Sequence, residues 1–154
     1  MSRAFVKDQD DDFVDDLPDR PISTHPNDVT EEGLALIEAA LAAARSALGD
    51  AQTAEDRAAA ARARRDLRYW TARHASARVV PPPTDTTEVR FGARVTIVRD
   101  DGREQTFRIV GEDEADPARG TISHVSPLAR ALFGKAVGDV VSVGKGEAEI
   151  REIA

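Results

Sequence analysis

The chain has no cysteine, one tryptophan, one tyrosine, and aromatic residues at only 5% of its 154 positions. The first absence excludes disulfides, thiolate zinc sites and cysteine nucleophiles, and it fits a reducing compartment. No apolar run is long enough to span a membrane, and the acidic N-terminus lacks the basic-then-apolar layout of a signal peptide. The expectation is a cytoplasmic protein with no membrane partner. Acidic residues outnumber basic ones, 28 to 21. The formal net charge is −7, so the molecule as a whole is not a nucleic-acid coat, and any such contact must come from a local basic stripe. No Ser-His-Asp arrangement, phosphate loop or dinucleotide glycine signature is present. His25 and His124 have no partner at metal-ligand spacing, so no stably bound metal and no resident cofactor is expected.

What is present divides the chain into four parts. Residues 1–28 are rich in aspartate (Asp10, Asp11, Asp12, Asp15, Asp16) and interrupted by Pro18, Pro21 and Pro26. Their mutual repulsion and low apolar content predict a mostly disordered, solubilising tail. Phe5, Phe13, Val14 and Leu17 are its exceptions, suited to docking on a partner or on the protein's own surface.

Residues 29–80 read as an antiparallel helical hairpin, a short coiled coil. Thr30 is an N-cap followed by Glu31 and Glu32, which favour the positive end of the helix dipole. Leu34, Ile37, Leu41, Ala44 and Leu48 then recur at three-four spacing, and Gly49-Asp50 is expected to end the helix. A second helix is expected from about Thr53 to Ser76, with Ala60, Ala63, Leu67, Trp70, His74 and Ala77 on the same three-four rhythm. His74 reads as a packed core histidine, and Tyr69 and Trp70 as anchors of the hairpin base. Pro81-Pro82-Pro83 opens a stiff linker over residues 81–87.

From residue 88 to 154 the period switches to alternation. Val95–Val98 and Gln105–Val110 flank Asp101-Gly102, a hairpin signal. Thr121–Val125, Val140–Val143 and Glu147–Ile153 are further strand candidates. Ser126 and Pro127 open a short helix through Phe133, with Gly134 suited to a left-handed stop. The fold class is α+β: a helical hairpin joined to a small antiparallel β domain with one short helix.

Several motifs in order then carry a resemblance. Phe91-Gly92-Ala93, Gln105 to Gly111, Asp113-Glu114-Ala115-Asp116 and Ser126 to Lys135 together resemble the C-terminal domain of the bacterial Gre transcript-cleavage factors. Thr30 and Gly33 resemble that family's helix start, and Ala77 to Val80 its helix end. The resemblance implies an FKBP-like domain that docks on the rim of the RNA polymerase secondary channel. It also implies a hairpin that projects down the channel, with acidic tip residues that help hold a second magnesium ion in the polymerase active site. The factor has no catalytic residues of its own; the polymerase cleaves backtracked RNA. By that resemblance Ser126, Pro127, Leu128, Ala129 and Arg130 are the candidate docking residues, and the partners are RNA polymerase and nascent RNA, met by a monomer.

The hairpin departs from the family pattern. Helix one, over residues 30–48, would be roughly 28 Å long at about 1.5 Å per residue. Thr53 stands where the family's tip has a glutamate, which leaves Asp50, Glu55 and Asp56 as candidate tip acids. Magnesium takes one or two carboxylates alongside phosphates, but an exposed loop and a helix start also attract acids for capping, and both readings stand. Arg57, Arg62, Arg64, Arg65, Arg68, Arg73 and Arg78 form a basic run for RNA phosphates or an acidic channel wall, or else pair with acids of helix one. Two functions follow: a cleavage-promoting elongation factor, or a short-hairpin regulator that occupies the channel without cleavage. A third, a prolyl isomerase, needs an aromatic-lined pocket, whereas Phe91, Phe107 and Phe133 are expected to face a core.

Overall fold

The computed structural model describes residues 17–154, which form two compact units. The expectations for Phe5, Phe13, Val14 and the aspartates before Leu17 concern residues outside the described ones. No helix among the described residues is long and apolar enough to cross a membrane.

The first unit is the helical hairpin. Helix α1 runs Glu31–Thr53 and α2 runs Arg57–Ser76. Ile37, Leu41, Ala44 and Ala51 of α1 and Ala60, Ala61 and Ala63 of α2 are buried. Alanine at the contact positions lets the backbones approach closely while keeping helix propensity high. Two expectations fail here. Gly49-Asp50 does not stop α1, which continues to Thr53 and lengthens to about 35 Å at ~1.5 Å per residue. An interior glycine costs only about 1 kcal/mol against alanine, too little to end an alanine-rich helix. His74 is exposed and lies 3.5 Å from the Glu38 carboxylate, while its neighbour Arg73 is the buried side chain at 2% exposure.

The tail prediction also fails from Leu17 onward. Leu17–Thr24 belongs to the hairpin unit. Arg20 places its guanidinium 3.9 Å from the Tyr69 ring centroid and 5.6 Å from that of Trp70, and pairs with Asp66 at 3.2 Å. The Leu17 carbonyl and the Asp19 carboxylate both accept from Arg68. Charge pairing and stacking on the α2 aromatics outweigh the low hydrophobicity of this stretch.

The second unit contains His25–Leu34 and Ala77–Ala154. Two short strands, β1 (Asp28–Val29) and β2 (Arg78–Val79), pair in parallel, and Asp28 also holds the Arg78 guanidinium at 2.7 Å. The main sheet has five strands: β3 (Arg94–Arg99), β4 (Glu104–Val110), β5 (Thr121–Ser123), β6 (Val140–Val143) and β7 (Gly146–Ile153), ordered β5-β4-β3-β7-β6. Three pairings are antiparallel as expected, but β4 and β5 run parallel. The sheet is mixed because the intervening Gly111–Gly120 segment crosses over rather than making a hairpin. Helix α3 (Pro127–Leu132) covers it, with Ala129 and Leu132 fully buried among Val95, Ile97, Ile109 and Ile150. Phe107 and Phe133 pack against this core, and Phe91 meets His124 edge to face. Phe91 and Phe133 also border a surface depression of about 500 Å³, shared with Pro81, Pro83 and Val89.

Candidate functional site

The hairpin tip separates its three acids. Asp50 lies exposed in the last turn of α1, where its carbonyl accepts from the Ala54 amide. Glu55 occupies the turn itself with φ of 54°, the left-handed region. Asp56 caps α2, its carboxylate accepting from the Ala59 amide at 3.0 Å while its own amide donates to Ala51. Capping therefore accounts for Asp56, whereas Asp50 and Glu55 keep their carboxylates exposed. Glu55 and Asp56 share a shallow depression with Arg57 and Arg64. Among the described residues, no group of three His, Asp or Glu side chains is placed to hold a metal ion.

The α2 arginines do not form one stripe. At about 100° per residue, Arg57, Arg64 and Arg68 fall within about 20° of a common line, with Arg65 beside them and Arg62 about 140° away from Arg57. Arg73 is buried, and Arg78 lies in β2 against Asp28.

The candidate docking segment is built on α3. The Ser126 hydroxyl accepts from the Ala129 amide at 3.2 Å and Pro127 occupies the first turn, where its missing N–H costs nothing. Phe133 closes the helix and Gly134 turns away at φ of 74°. Pro127 and Arg130 face solvent, and Arg130 approaches the His25 ring at 3.2 Å. Leu128 is half-buried beside a groove of about 330 Å³ shared with Ile122 and Val143. Ala129 is a core residue, inaccessible to any partner. Of the five candidates, then, the structure offers Pro127, Arg130 and the edge of Leu128.

One arrangement escaped the sequence reading, which used Asp113, Glu114 and Asp116 as part of the family resemblance. Glu114 instead caps α1 across 84 positions of sequence: its carboxylate accepts from the Thr30 amide at 3.1 Å, the Thr30 hydroxyl and the Gly111 amide. The Thr30 hydroxyl in turn accepts from the Gly33 amide at 3.0 Å. Asp116 caps the 3-10 turn Pro117–Arg119. The signal lay in Thr30-x-x-Gly33 and Gly111-x-x-Glu114, but nothing local joins them.

Three exposed carboxylates are held below the usual range. For Glu32 the causes are its own backbone N–H, then the Arg108 guanidinium and the Thr30 hydroxyl. For Asp85 they are the Thr87 hydroxyl and amide, and for Asp101 the Arg103 amide and side chain. A depressed carboxyl adds stability above its unfolded pKa of about 4, and that stability is lost as pH falls through the folded value. The thermal midpoint is therefore expected to hold between pH 7 and 5 and to fall as pH drops below 4, with Asp85→Asn and Asp101→Asn flattening the acid limb in a calorimetric pH series.

Residues 84–153 match the family model described as transcription elongation factor, GreA/GreB, C-terminal. Transcription elongation factor GreB of Neisseria meningitidis serogroup B is 48% identical over 90 residues, covering 56% of this chain and 55% of that protein. GreA of Alkalilimnicola ehrlichii is 47% identical over 85 residues, covering 51% and 54%. The chain thus spans about half the length of the curated relatives it matches. Among solved structures, the GreA factor homolog Gfh1 of Thermus thermophilus is 22% identical with a TM-score of 0.41, over 84% of this chain and 99% of that one. A GreA/GreB factor from Nitrosomonas europaea is 20% identical with a TM-score of 0.42, over 85% and 99%. Both are distant likenesses. Residues 84–153 therefore form a GreA/GreB C-terminal domain, and the similarity to GreA and GreB transcription elongation factors extends over about half of the chain.

Proposed function

We propose that this protein is an RNA polymerase-binding elongation factor of the cytoplasm. It grips the rim of the secondary channel with its C-terminal domain, and its hairpin enters the channel. The observation that supports this reading most is the α3 segment: a capped helix, rigidly backed by Ala129 and Leu132, that presents Pro127 and Arg130 outward on a GreA/GreB domain. An exposed guanidinium pre-oriented by a short rigid helix suits a carboxylate on a partner surface.

At the tip, Asp50 and Glu55 carry exposed carboxylates, the donor type a hard cation takes. They fit the role of one or two ligands to a magnesium ion held mainly by the polymerase. Such an ion, when bound, activates water and stabilises a leaving oxygen. Arg57, Arg64, Arg65 and Arg68 supply the face toward nascent RNA, and Arg62 lies on another side of α2. Cleavage of backtracked RNA is the activity this reading assigns, with the polymerase as the nuclease. The second reading, a channel-occupying regulator without cleavage, draws on Asp56: its carboxylate is engaged as a helix cap.

Binding to the cognate polymerase is measured by pull-down, and cleavage on halted elongation complexes. Replacing Pro127 by Ala and Arg130 by Glu together is expected to weaken binding at least tenfold, about 1.4 kcal/mol, with the thermal midpoint unchanged. Undiminished binding would refute the docking assignment. Asp50→Ala should abolish stimulated cleavage while preserving binding. A parent protein that binds but never stimulates cleavage selects the second reading.

A further inference from the structure

Arg130, the outward guanidinium of α3, meets His25 across 105 positions of sequence. The arm that carries His25 is short and stiff. Pro26 fixes its own φ and confines His25 to extended backbone. Asn27 is buried at 6% exposure, its carbonyl accepts from the Arg78 amide at 2.9 Å, and β1 begins at the next residue. The imidazole is thus delivered to α3 by backbone that is itself tied to β2. A guanidinium has N–H donors and no acceptor. In the 3.2 Å contact between Arg130 Nη2 and His25 Nε2, the hydrogen is therefore the arginine's, and Nε2 offers a lone pair. That gives His25 the neutral form with its proton on Nδ1.

We infer that His25 is the positioning residue of the docking segment: its neutral Nδ1–H tautomer holds the Arg130 guanidinium in the orientation in which it meets a partner carboxylate. The inference rests on the α3 docking reading and deepens it. The type of acceptor matters. A carboxylate at this place would orient Arg130 equally well but cancel its charge, and the arginine would have to leave an ion pair to reach a partner. A neutral imidazole uses one N–H and leaves the positive charge and the rest of the planar fork for a bidentate contact. Holding the long side chain in place before encounter removes part of the rotamer freedom that binding would otherwise take away. The contact is exposed and adds little to folding, so its effect is on presentation.

The contact is tested first without polymerase. In the full chain in weakly alkaline buffer, long-range nitrogen–proton correlation of the imidazole is expected to report a protonated Nδ1 and a bare Nε2. An unconstrained neutral histidine favours the opposite tautomer, and an Nε2–H signal would overturn the proposal. In a pull-down titration against the cognate polymerase, His25→Ala should weaken binding about three- to tenfold, and His25→Gln, whose amide oxygen can accept from Arg130, should recover most of the loss. His25→Glu should remain as weak as His25→Ala, because it holds the guanidinium while neutralising it. With Arg130→Gln already in place, His25→Ala should cost nothing further. A second loss of equal size would mean that His25 acts on the partner or on the fold directly, and the positioning role would be wrong. Binding indifferent to His25→Ala, in a parent that Arg130→Gln weakens, would overturn it equally while leaving the α3 docking reading intact. A parent that does not bind, or binds regardless of Arg130, refutes that reading and takes the positioning role with it, even where the tautomer is the expected one.

Discussion

Gly33→Ala is expected to lower stability by roughly 2–4 kcal/mol, because a Cβ there would stand 1.9 Å from the Glu114 carboxylate oxygen. The carboxylate is fixed by donors on both sides, the Thr30 amide and hydroxyl and the Gly111 amide. It cannot retreat without leaving buried Thr30 unsatisfied, and an orphaned buried donor costs about 1–3 kcal/mol. Retreat toward Gly111 is also closed, since that residue lies against the Asp28 carbonyl. Glu114→Ala should cost a similar amount by removing the acceptor outright. In a chain of this size each kcal/mol moves the thermal midpoint by roughly 2–4 °C, which puts either variant roughly 5–15 °C lower. The two effects should not add. Both destroy one contact, and shortening Glu114 makes room for the methyl group, so a double-mutant cycle is expected to show coupling of at least about 1 kcal/mol. Additive losses would mean that Gly33 matters for a reason other than the approach of Glu114.

Leu132→Ala is expected to cost about 2–5 kcal/mol, the range for emptying a fully buried leucine site. The consequence at the surface is the more informative one. Helix α3 has six residues and cannot persist alone. Two buried side chains, Ala129 and Leu132, and the Ser126 cap hold it. Loosening it should disperse the orientation of Pro127 and Arg130 and weaken the proposed polymerase binding at temperatures where the sheet is still folded. Leu132→Met, which nearly conserves volume, should restore most of both properties. Binding that tracks global unfolding alone would show that α3 contributes no presentation of its own.

The elements most legible in the amino-acid order are those whose signals are local. Val140–Val143 appears as a strand with the expected bounds, and Ser126-Pro127 marks the start of α3 because the cap and the first-turn proline act within a single turn. The two stripes on α1 and α2 specify a hairpin because alternation by three and four survives any detail of the loop. Errors cluster where neighbours in sequence are not neighbours in space. Gly49 looks like a stop, yet propagation through an alanine-rich helix outweighs one glycine. Arg73 and His74 exchange roles because a wheel that fits either one differs by a single residue step. The parallel setting of β5 depends on a crossover that no turn motif announces. The cap at Glu114 is the extreme case: Thr30 reads as a sufficient cap by itself, and only the folded chain reveals that a distant carboxylate completes it. For the site, the outward pair Pro127 and Arg130 was within reach of the sequence, whereas the loss of Ala129 to the core and the scattering of the arginines required three dimensions.

Strands β1 and β2 run in the same direction, with Asp28 opposite Arg78 and Val29 opposite Val79. Everything between them is an excursion that leaves from one strand and returns to the other. Insertions and deletions there are consequently constrained to come in matched pairs. Adding seven residues to the outgoing arm alone would shift every facing position, whereas adding seven to each arm moves only the far end and leaves the closure undisturbed. Reach can then vary among descendants by whole heptads while the anchoring domain stays unaltered.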